Sequence, residues 1–556
     1  MLVSHKLKQN IVKKQDLAHD KLKYPRAKSL FWVILSAFLF SSSFYPLENF
    51  PAIIRYLNYF CISPFFLELF LLVKIENFKR RMFHYFILII TFSLTLELIA
   101  FSWVYTSIKY FFHTNHLITS IIYLILSFLS FPYYFLLFSP VLLLNRKFRV
   151  NKINWHSIVC LTFLIVNIEY YYPKMAQWFF GYSYFYDCNL RKLGSIFGSI
   201  GLSFLFFYSN ILLAIILFRK IYLKLNLIDY VRNKFFYHYL FFIFAILFIK
   251  FKFTEKNLSV EQKINIGYIQ PNFSVIHDKD IGGVKLKEKS LFELVKEFDK
   301  TPIELIIVPE SAIYYQFGNF PEKIEDISLL AKSSSKPILL QSVIEKNNAV
   351  KTKSIFKIAE SRSFIVYPEG KTSNYYVKWN LMPFGEEFPL SKYIPFLEEI
   401  YLKWTKQDVI IAHGNQANSL FFQNIKIGIF ICYDSIDKDL VHNLVKNGAQ
   451  FLVNQANFIW MSDTNAIFVY SIINQFKAIE SQRSLLFLTN NGPTQLFDKN
   501  GNLVFSNKVI NKQDLSVLSI PLNNNLSIFT EFNLLVKLAF VIAMIFSLFI
   551  FFNKKL

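Results

Sequence analysis

Three residues with side chains suited to acyl transfer each follow a short strand-like run of the sequence. Glu310, Lys378 and Cys432 come directly after apolar runs of three to five residues. If these runs are neighbouring strands, the carboxylate, the ammonium and the thiol converge on one edge of a sheet. A thiol nucleophile needs a base for its proton and a cation for the developing oxyanion. The pattern therefore predicts a cysteine-based site for acyl chemistry.

Each of these residues also has a structural interpretation. A lone cysteine is commonly a buried structural thiol, and a lysine at a strand end is commonly exposed. Asp434-Ser435 is typical of a helix start, with the helix continuing over Asp437–Lys446. We therefore expect Cys432 to face the positive end of a helix, which favours a thiolate. Glu386, in a turn-forming context beside Glu387, could aim a carboxylate at Lys378 and hold it charged.

The composition is typical of a membrane protein. The chain has 556 residues, of which 54% are hydrophobic and 65 are Phe, with a mean hydropathy of +0.34. The formal net charge is +22, but the basic residues lie largely beside apolar segments, as membrane orientation favours. Because no nucleic-acid-binding motif accompanies this charge, we expect no nucleic-acid partner.

No cofactor or metal is predicted. The four cysteines show neither a C-x-x-C spacing nor a nearby histidine pattern, which argues against a zinc site. The sequence also lacks a Gly-rich phosphate loop and a G-x-S-x-G serine elbow. The chemistry is therefore expected to depend on side chains alone. The cysteines are Cys61, Cys160, Cys188 and Cys432.

Eight apolar segments of roughly membrane length surround the candidate site. A basic N-terminal segment, 1–28, precedes them, and placing it in the cytoplasm puts the basic loops around Lys79, Arg146 and Arg219 there too. Seven crossings then place residues 262–525 outside the cytoplasm. The predicted spans are 29–46, 56–74, 83–106, 117–144, 155–172, 194–218 and 235–251, which form a seven-helix domain 29–251, followed by a last span at 532–552.

The region 262–525 alternates strand-like and helix-like runs, which predicts an α/β domain. Asn500-Gly501, between two apolar runs, predicts a tight hairpin turn. The region is long enough to bury its own core. The predicted strands are Ile264–Ile269, Leu305–Pro309, Pro337–Val343, Ser363–Tyr367, Ile425–Ile431, Gln450–Val453 and Leu485–Thr489, and the predicted helices include Val284–Phe298, Asp437–Lys446 and Ala466–Glu480.

Together, these motifs resemble the Glu-Lys-Cys triad of the nitrilase, or carbon–nitrogen hydrolase, superfamily. The matching residues are Glu310, the segment Lys378-x-x-x-x-Pro383-Phe384-Gly385-Glu386, and Cys432-Tyr433. The surrounding spans are similar to the membrane-embedded branch of this superfamily, the apolipoprotein N-acyltransferases. The resemblance implies a polytopic α-helical membrane domain of about eight transmembrane helices with an inserted nitrilase-like αββα sandwich. It also implies a bacterial inner membrane protein with a periplasmic catalytic domain.

The same resemblance implies roles for individual residues. Glu310 would be the general base, Lys378 the oxyanion stabiliser and Cys432 the nucleophile. Glu386 would support the lysine, and Tyr433 would neighbour the thiol.

The sequence departs from the family at two places. Asp434 stands where the family often has Glu. The segment Asn454-Gln455-Ala456-Asn457-Phe458 replaces the usual Asn-Asp-Ala-Trp-Phe, which puts the contacts of a lid or an acyl chain in question but not the triad.

The implied reaction is a ping-pong acyl transfer without a cofactor. A membrane phospholipid would acylate Cys432, and the resulting thioester would pass its acyl chain to the N-terminal amine of a diacylglyceryl-modified apolipoprotein. We also interpret the aromatic loop 173–193 and the Phe-rich ends of the spans as shaping a lateral entry for lipid, in which Tyr182, Tyr184 and Phe185 take part.

Two other functions remain open on the sequence. A membrane-tethered amidase or nitrilase acting on a small periplasmic substrate would use the same triad, and Asp434 is like that of many soluble amidases. A transporter or receptor would need ionisable residues within its spans. Such residues are few here, with Glu68 and Glu97 as the main exceptions.

Overall fold

The computed structural model describes most of the chain as helices and two β-sheets. The described residues are 27–45, 59–72, 75–143, 155–174, 177–222, 262–274, 281–313, 320–345, 357–389, 391, 393–405, 409–461 and 464–553. Their α-helices are α1 (Ala27–Ser41), α2 (Ser63–Leu72), α3 (Phe78–Ala100), α4 (Trp103–Phe112), α5 (His116–Leu129), α6 (Phe131–Phe138), α7 (Trp155–Tyr171), α8 (Gly194–Tyr222), α9 (Ile281–Lys296), α10 (Phe320–Ser334), α11 (Pro395–Thr405), α12 (Leu440–Lys446), α13 (Ala466–Ser481), α14 (Ile528–Glu531) and α15 (Asn533–Asn553).

The apolar helices only partly match the predicted spans. Among the described residues, five helical stretches are long and apolar enough to cross a membrane, and two more apolar helices are shorter. The predicted seventh span, 235–251, and most of the basic segment 1–28 lie outside the described residues. The expected count of about eight is therefore not confirmed. The long stretches are Ala27–Phe44, Phe78–Ala100, His116–Leu142, Arg191–Ile221 and Asn533–Ile550, and the shorter helices are Ser63–Leu72 and His156–Tyr171.

Helix α8 has a sharp break at Gly198, and the residue after this break contacts helix α13. Gly198 has φ +65° and ψ −174°, a conformation essentially restricted to glycine. A Cβ atom there would lie 2.2 Å from Cζ of Phe529. The backbone N–H of the next residue, Ser199, donates to Oε1 of Glu480 at 2.6 Å. The break thus gives α8 a polar contact with helix α13 beneath the second sheet.

The strands form one sheet of seven and one of six. The first has the order β13-β1-β2-β3-β4-β5, with β6 beside β4, and the second has the order β12-β11-β10-β9-β8-β7. Strands β1, β2 and β3 are mutually parallel, as are β8, β9 and β10. The strands are β1 (Lys263–Gln270), β2 (Leu305–Ile307), β3 (Ile338–Glu345), β4 (Lys357–Val366), β5 (Thr372–Val377), β6 (Val409–Ile411), β7 (Leu420–Phe422), β8 (Ile425–Ile431), β9 (Phe451–Ala456), β10 (Leu485–Thr489), β11 (Gln495–Phe497), β12 (Leu503–Ser506) and β13 (Asp514–Pro521).

The two sheets pack between helical layers, which confirms the predicted nitrilase-like sandwich. Alternate side chains of β2 face opposite ways: Leu305 joins the core between the sheets, and Ile306 joins the core under α9 and α10. Helices α12 and α13 cover the outer face of the second sheet. Because both faces of each sheet are covered, the parallel strands read as continuous apolar runs rather than alternating ones.

Candidate active site

Cys432 lies at the point where β8 ends in a tight turn. Its backbone is left-handed, with φ +49°, and residues Cys432–Ile436 form a 3₁₀ turn. The next α-helix begins only at Leu440, so the predicted helix start at Asp434-Ser435 is wrong. This turn brings the thiol close enough to the Glu310 carboxylate for the two groups to shift each other's pKa.

The structure brings Glu310, Lys378 and Glu386 into direct contact. The Lys378 ammonium donates to Oε1 of Glu310 and to Oε1 of Glu386, each at 2.8 Å. The second carboxylate oxygen of Glu386 accepts the Met382 backbone N–H at 2.7 Å, which fixes this side chain within its own turn. Lys378 is 1% exposed, so both contacts are shielded from water. Of the two adjacent glutamates, Glu386 is the one on the lysine.

Electrostatics set the resting protonation of the thiol. Burial raises the pKa of Cys432 well above its ordinary value, and the Glu310 carboxylate raises it further. Burial also raises the pKa of Glu310, against the effect of Lys378. Burial alone would lower the pKa of Lys378, but the two glutamates hold it well above its ordinary value. The directions of these pKa shifts favour a neutral thiol beside a charged ammonium, rather than the thiolate that the sequence predicts.

Asp434 ties the turn of the nucleophile to the strand that carries the lysine. Its Oδ1 accepts the backbone N–H groups of Trp379 and Asn380, at 3.0 and 2.6 Å. Its Oδ2 accepts the Ile431 N–H at 2.9 Å and the Tyr376 hydroxyl at 2.7 Å. Burial raises the pKa of Asp434 to about 6. This carboxylate thus positions the two elements rather than reaching the reacting atoms.

Buried amides connect the two sheets beneath the site. Gln455, on β9, donates to the Val308 carbonyl at 2.6 Å and accepts from Ser363 at 2.7 Å. Gln341, on β3, accepts the Ser311 N–H at 2.8 Å and so holds the turn that follows Glu310. Satisfied buried networks of this kind rigidify a core. Gln455 is one of the departures from the family pattern, and here it bridges the sheets.

Asn457, the other departure in this segment, faces the nucleophile through its backbone. Its N–H makes a hydrogen bond with the Cys432 sulfur and so favours the charged form of the thiol. Its side-chain oxygen accepts from Asn490 at 3.1 Å and from the Ile459 N–H at 3.2 Å. The asparagine side chain therefore belongs to a local polar network.

An apolar cavity of about 780 Å³ lies between the apolar helices and the elements of the two-sheet region. Its wall includes Trp103, Tyr134 and Phe180 from the helical part, and Tyr433 and Tyr470 from the region of the second sheet. Tyr433 directly follows Cys432 in the chain, so the cavity wall includes the neighbour of this thiol. A smaller, polar pocket of about 230 Å³ shares Tyr433 with it.

The three aromatic residues expected to take part in a lateral lipid entry are buried and do not line the cavity. Tyr182, Tyr184 and Phe185 are 1%, 2% and 5% exposed. Tyr182 stacks on Phe476 of α13, with ring centroids 4.5 Å apart. These side chains belong to the packed junction of the two parts of the chain. The same loop does contribute Trp178 and Phe180 to the cavity wall.

Sequence reasoning missed several residues around the site. Tyr470 lies close enough to Cys432 to interact with it electrostatically, and its only signal was an apolar position on a predicted helix. His413 bonds to Glu387 at 2.7 Å and to the Trp379 carbonyl at 3.0 Å, so it bridges both ends of the turn that carries Glu386. The Glu387 hydrogen bond raises the pKa of His413 to about 9. No local sequence motif predicts the contact between His413 and Glu387.

Two family models match the chain in sequence order. The apolipoprotein N-acyltransferase N-terminal domain matches residues 36–212, and the carbon-nitrogen hydrolase model matches residues 289–522.

Curated relatives and a solved structure are also similar to parts of the chain. Apolipoprotein N-acyltransferase 1 of Treponema denticola is 26% identical, and the match covers 85% of this chain and 87% of that protein. Apolipoprotein N-acyltransferase of Chlorobaculum tepidum is 24% identical, and this match covers 48% of the chain and 53% of that protein, about half its length. Nit3 of Saccharomyces cerevisiae, a member of branch 10 of the nitrilase superfamily, has 14% identity and a TM-score of 0.34, covering 48% of this chain and 93% of Nit3.

Proposed function

We propose that this chain, which matches both apolipoprotein N-acyltransferase and carbon-nitrogen hydrolase models, N-acylates lipoproteins through a thioester on Cys432. The acyl donor is a membrane phospholipid, and the acceptor is the N-terminal amine of a diacylglyceryl-modified cysteine. This reaction is the last step of bacterial lipoprotein maturation. One observation carries the assignment: the Lys378 ammonium contacts the Glu310 carboxylate near the Cys432 thiol, and Tyr433, the residue after that thiol, lines an apolar cavity.

The first half-reaction begins with proton transfer from the Cys432 thiol to Glu310. The thiolate attacks the ester carbonyl of the phospholipid, and the negative charge that forms on the carbonyl oxygen lies against the Lys378 ammonium. Collapse of this tetrahedral intermediate breaks the ester bond. Glu310 returns its proton to the leaving alkoxide, which departs as a lysophospholipid, and the acyl chain stays on sulfur as a thioester.

The second half-reaction uses the same groups in the same roles. The acceptor amine attacks the thioester carbonyl, and Glu310 takes the proton that the amine loses. Lys378 again stabilises the oxyanion. The thiolate leaves and recovers a proton from Glu310, which restores the resting site. Glu386 keeps Lys378 charged throughout, because it adds a second carboxylate at 2.8 Å.

The apolar cavity suits a lipid donor. Moving an acyl chain from a bilayer into water costs about 0.8 kcal/mol per CH₂ group, and a cavity continuous with the helices avoids this cost. Water must also be kept from the thioester if it is to react with an amine. In this proposal, residues 262–525 form a periplasmic domain between the helical domain 29–251 and a last helix at 532–552 of the bacterial inner membrane.

The decisive experiment is intact-mass analysis of the full-length protein after incubation with phospholipid. We expect a hydroxylamine-labile fatty-acyl adduct on the wild type and none on Cys432→Ala. Cys160→Ala is a matched control, because Cys160 is also buried but lies on helix α7. A folded wild-type protein without an adduct would contradict the proposed function. The names of the curated relatives do not favour the alternative of a small-substrate amidase.

A further inference from the structure

The polar pocket beside the apolar cavity has a wall rich in cations. Lys174, Lys438 and His413 contribute positive groups, and Glu387 and Asp437 contribute carboxylates. The pocket volume, about 230 Å³, is below the roughly 300–1,000 Å³ of pockets that bury whole small ligands. The pocket therefore suits a compact polar group.

Both carboxylates of this wall already have partners. Glu387 bonds through Oε2 to His413 at 2.7 Å. Asp437 accepts the backbone N–H groups of Asp439 and Leu440 through Oδ1, both at 2.7 Å. With these acids engaged, the two lysines are the groups best placed to bind a ligand.

The two lysine side chains reach the wall of the same pocket from different parts of the chain. The Lys174 ammonium donates to the Trp178 carbonyl at 2.7 Å, and the Lys438 ammonium donates to the Tyr170 carbonyl at 3.0 Å. An ammonium has three N–H donors, so one carbonyl partner leaves donors for an anion. Burial lowers the pKa of Lys174, Glu169 opposes this shift, and the positive charge of Lys438 adds to it. An anion between the two ammonium groups would relieve their repulsion.

We propose that this pocket binds the phosphate of the glycerophospholipid donor through Lys438 and Lys174. The inference rests on the proposed function, in which the ester of the same lipid reacts at Cys432. Tyr433, next to Cys432, lines both the apolar cavity and the polar pocket, so the acyl chain and the phosphate of one lipid can occupy neighbouring cavities. A diacylglyceryl-cysteine carries no phosphate, so the pocket distinguishes the donor from the acceptor.

The test compares two acyl donors with full-length protein in detergent micelles. The donors are dipalmitoyl phosphatidylglycerol and dipalmitoylglycerol, which offer the same ester with and without a phosphate. The readout is the rate of thioester formation on Cys432 by intact mass, as kcat/KM for each donor. The variants are Lys438→Gln, Lys438→Arg and the control Lys426→Gln, whose ammonium also donates to a carbonyl (Asn447, 3.1 Å) but does not line either cavity.

We expect Lys438→Gln to lower the ratio of kcat/KM for the phospholipid to that for dipalmitoylglycerol by about tenfold, through KM. Lys438→Arg should restore much of this ratio, and Lys426→Gln should leave it unchanged. An unchanged ratio in Lys438→Gln would overturn the inference while leaving the proposed function intact. If the wild type forms no thioester with the phospholipid and none with dipalmitoylglycerol, the proposed function itself is contradicted.

A competition experiment tests whether the pocket binds the phosphate of a lipid or a free phosphate ion. Inorganic phosphate, added as a competitor, should not slow acylation of the wild type by the phospholipid, because a free ion lacks the chains that the cavity holds. Strong competition by inorganic phosphate would assign the pocket to a free anion and overturn the lipid assignment.

Discussion

At the scale of single residues, left-handed backbone occurs at Cys432 and in the turns that carry Glu310 and Glu386. Cys432 itself is left-handed, Ser311 after Glu310 has φ +59°, and Phe384 near Glu386 has φ +59°. Such conformations cost of order 1–3 kcal/mol each and persist only where surrounding contacts enforce them. Side-chain hydrogen bonds from Gln341, Glu386 and Asp434 to the backbone hold these three turns in place.

The protonation of Glu310 predicts the pH dependence of acylation. The base acts when ionised, and burial raises its pKa above the ordinary value of 4.5. The rate of thioester formation should therefore rise with pH, with an apparent midpoint above 4.5 that belongs to the coupled cluster. Lys378 stays charged over this range because its pKa is raised. The measurement is a single-turnover rate against pH, read by intact mass.

Replacement of the base tests the same residue directly. Glu310→Gln keeps the shape of the side chain but cannot accept the thiol proton, so acylation should fall about 10²–10⁴-fold. The rise with pH should also disappear in this variant. A variant that keeps the wild-type pH profile would show that another group takes the proton.

At the scale of elements, the bounds of the buried strands could be predicted from the sequence. The long-range hydrogen bonds that hold their ends together could not. The apolar runs predicted β8 and β10 to the residue, because parallel strands buried on both faces leave a clear signal. Asn500-Gly501 predicted the β11–β12 hairpin, and Gly501 has the positive φ, +72°, that such a turn requires. These features depend on local sequence.

The turn after Cys432 could not be predicted from local sequence. The sequence around Asp434 is typical of a helix N-cap. Its carboxylate instead accepts hydrogen bonds from the hydroxyl of Tyr376, 58 residues away, and from the backbone N–H of Trp379 after β5. The cavity and the cationic pocket likewise arise where distant segments meet. Long-range pairing of this kind leaves no periodicity in the sequence.

The contact between Tyr376 and Asp434 gives a prediction at this scale. Tyr376→Phe removes one hydrogen bond, which should cost about 1 kcal/mol in stability and lower the acylation rate about fivefold, since the lysine strand is less firmly held. Tyr268→Phe is a matched control, because Tyr268 is equally buried and donates to Asp514 away from the site. Thermal unfolding and thioester formation are measured on both. Equal loss of acylation in the two variants would argue against a positioning role for Asp434.

At the scale of the whole molecule, helix α13 joins the catalytic elements to the helices. It is buried along its length, stacks through Phe476 on Tyr182, and receives the Ser199 N–H through Glu480. At its N-terminal end, Asn465 donates to the Phe44 and Ala100 carbonyls at 3.1 and 2.8 Å. Contacts of this extent make the two parts a single packed body at this junction.

Substitution of Gly198, at the break in α8, tests the importance of this junction. Gly198→Ala places a Cβ atom against Phe529 in a backbone conformation that alanine avoids, so it should destabilise the protein by about 1–3 kcal/mol. Gly194→Ala, in the same helix, meets nothing closer than 3.3 Å and should have a small effect. Thermal unfolding of the full-length protein in detergent compares them. Similar melting temperatures for both variants would contradict the importance of the break.

The pairing of the first and last strands of the catalytic region has a consequence for how such a region can be inserted into a longer chain. Lys263 at the start of β1 lies opposite Pro521 at the end of β13. A unit whose two ends emerge side by side can be spliced into a connection between two helices without pulling those helices apart. The β1–β13 pairing therefore makes the sandwich compatible with insertion into such a connection as one piece.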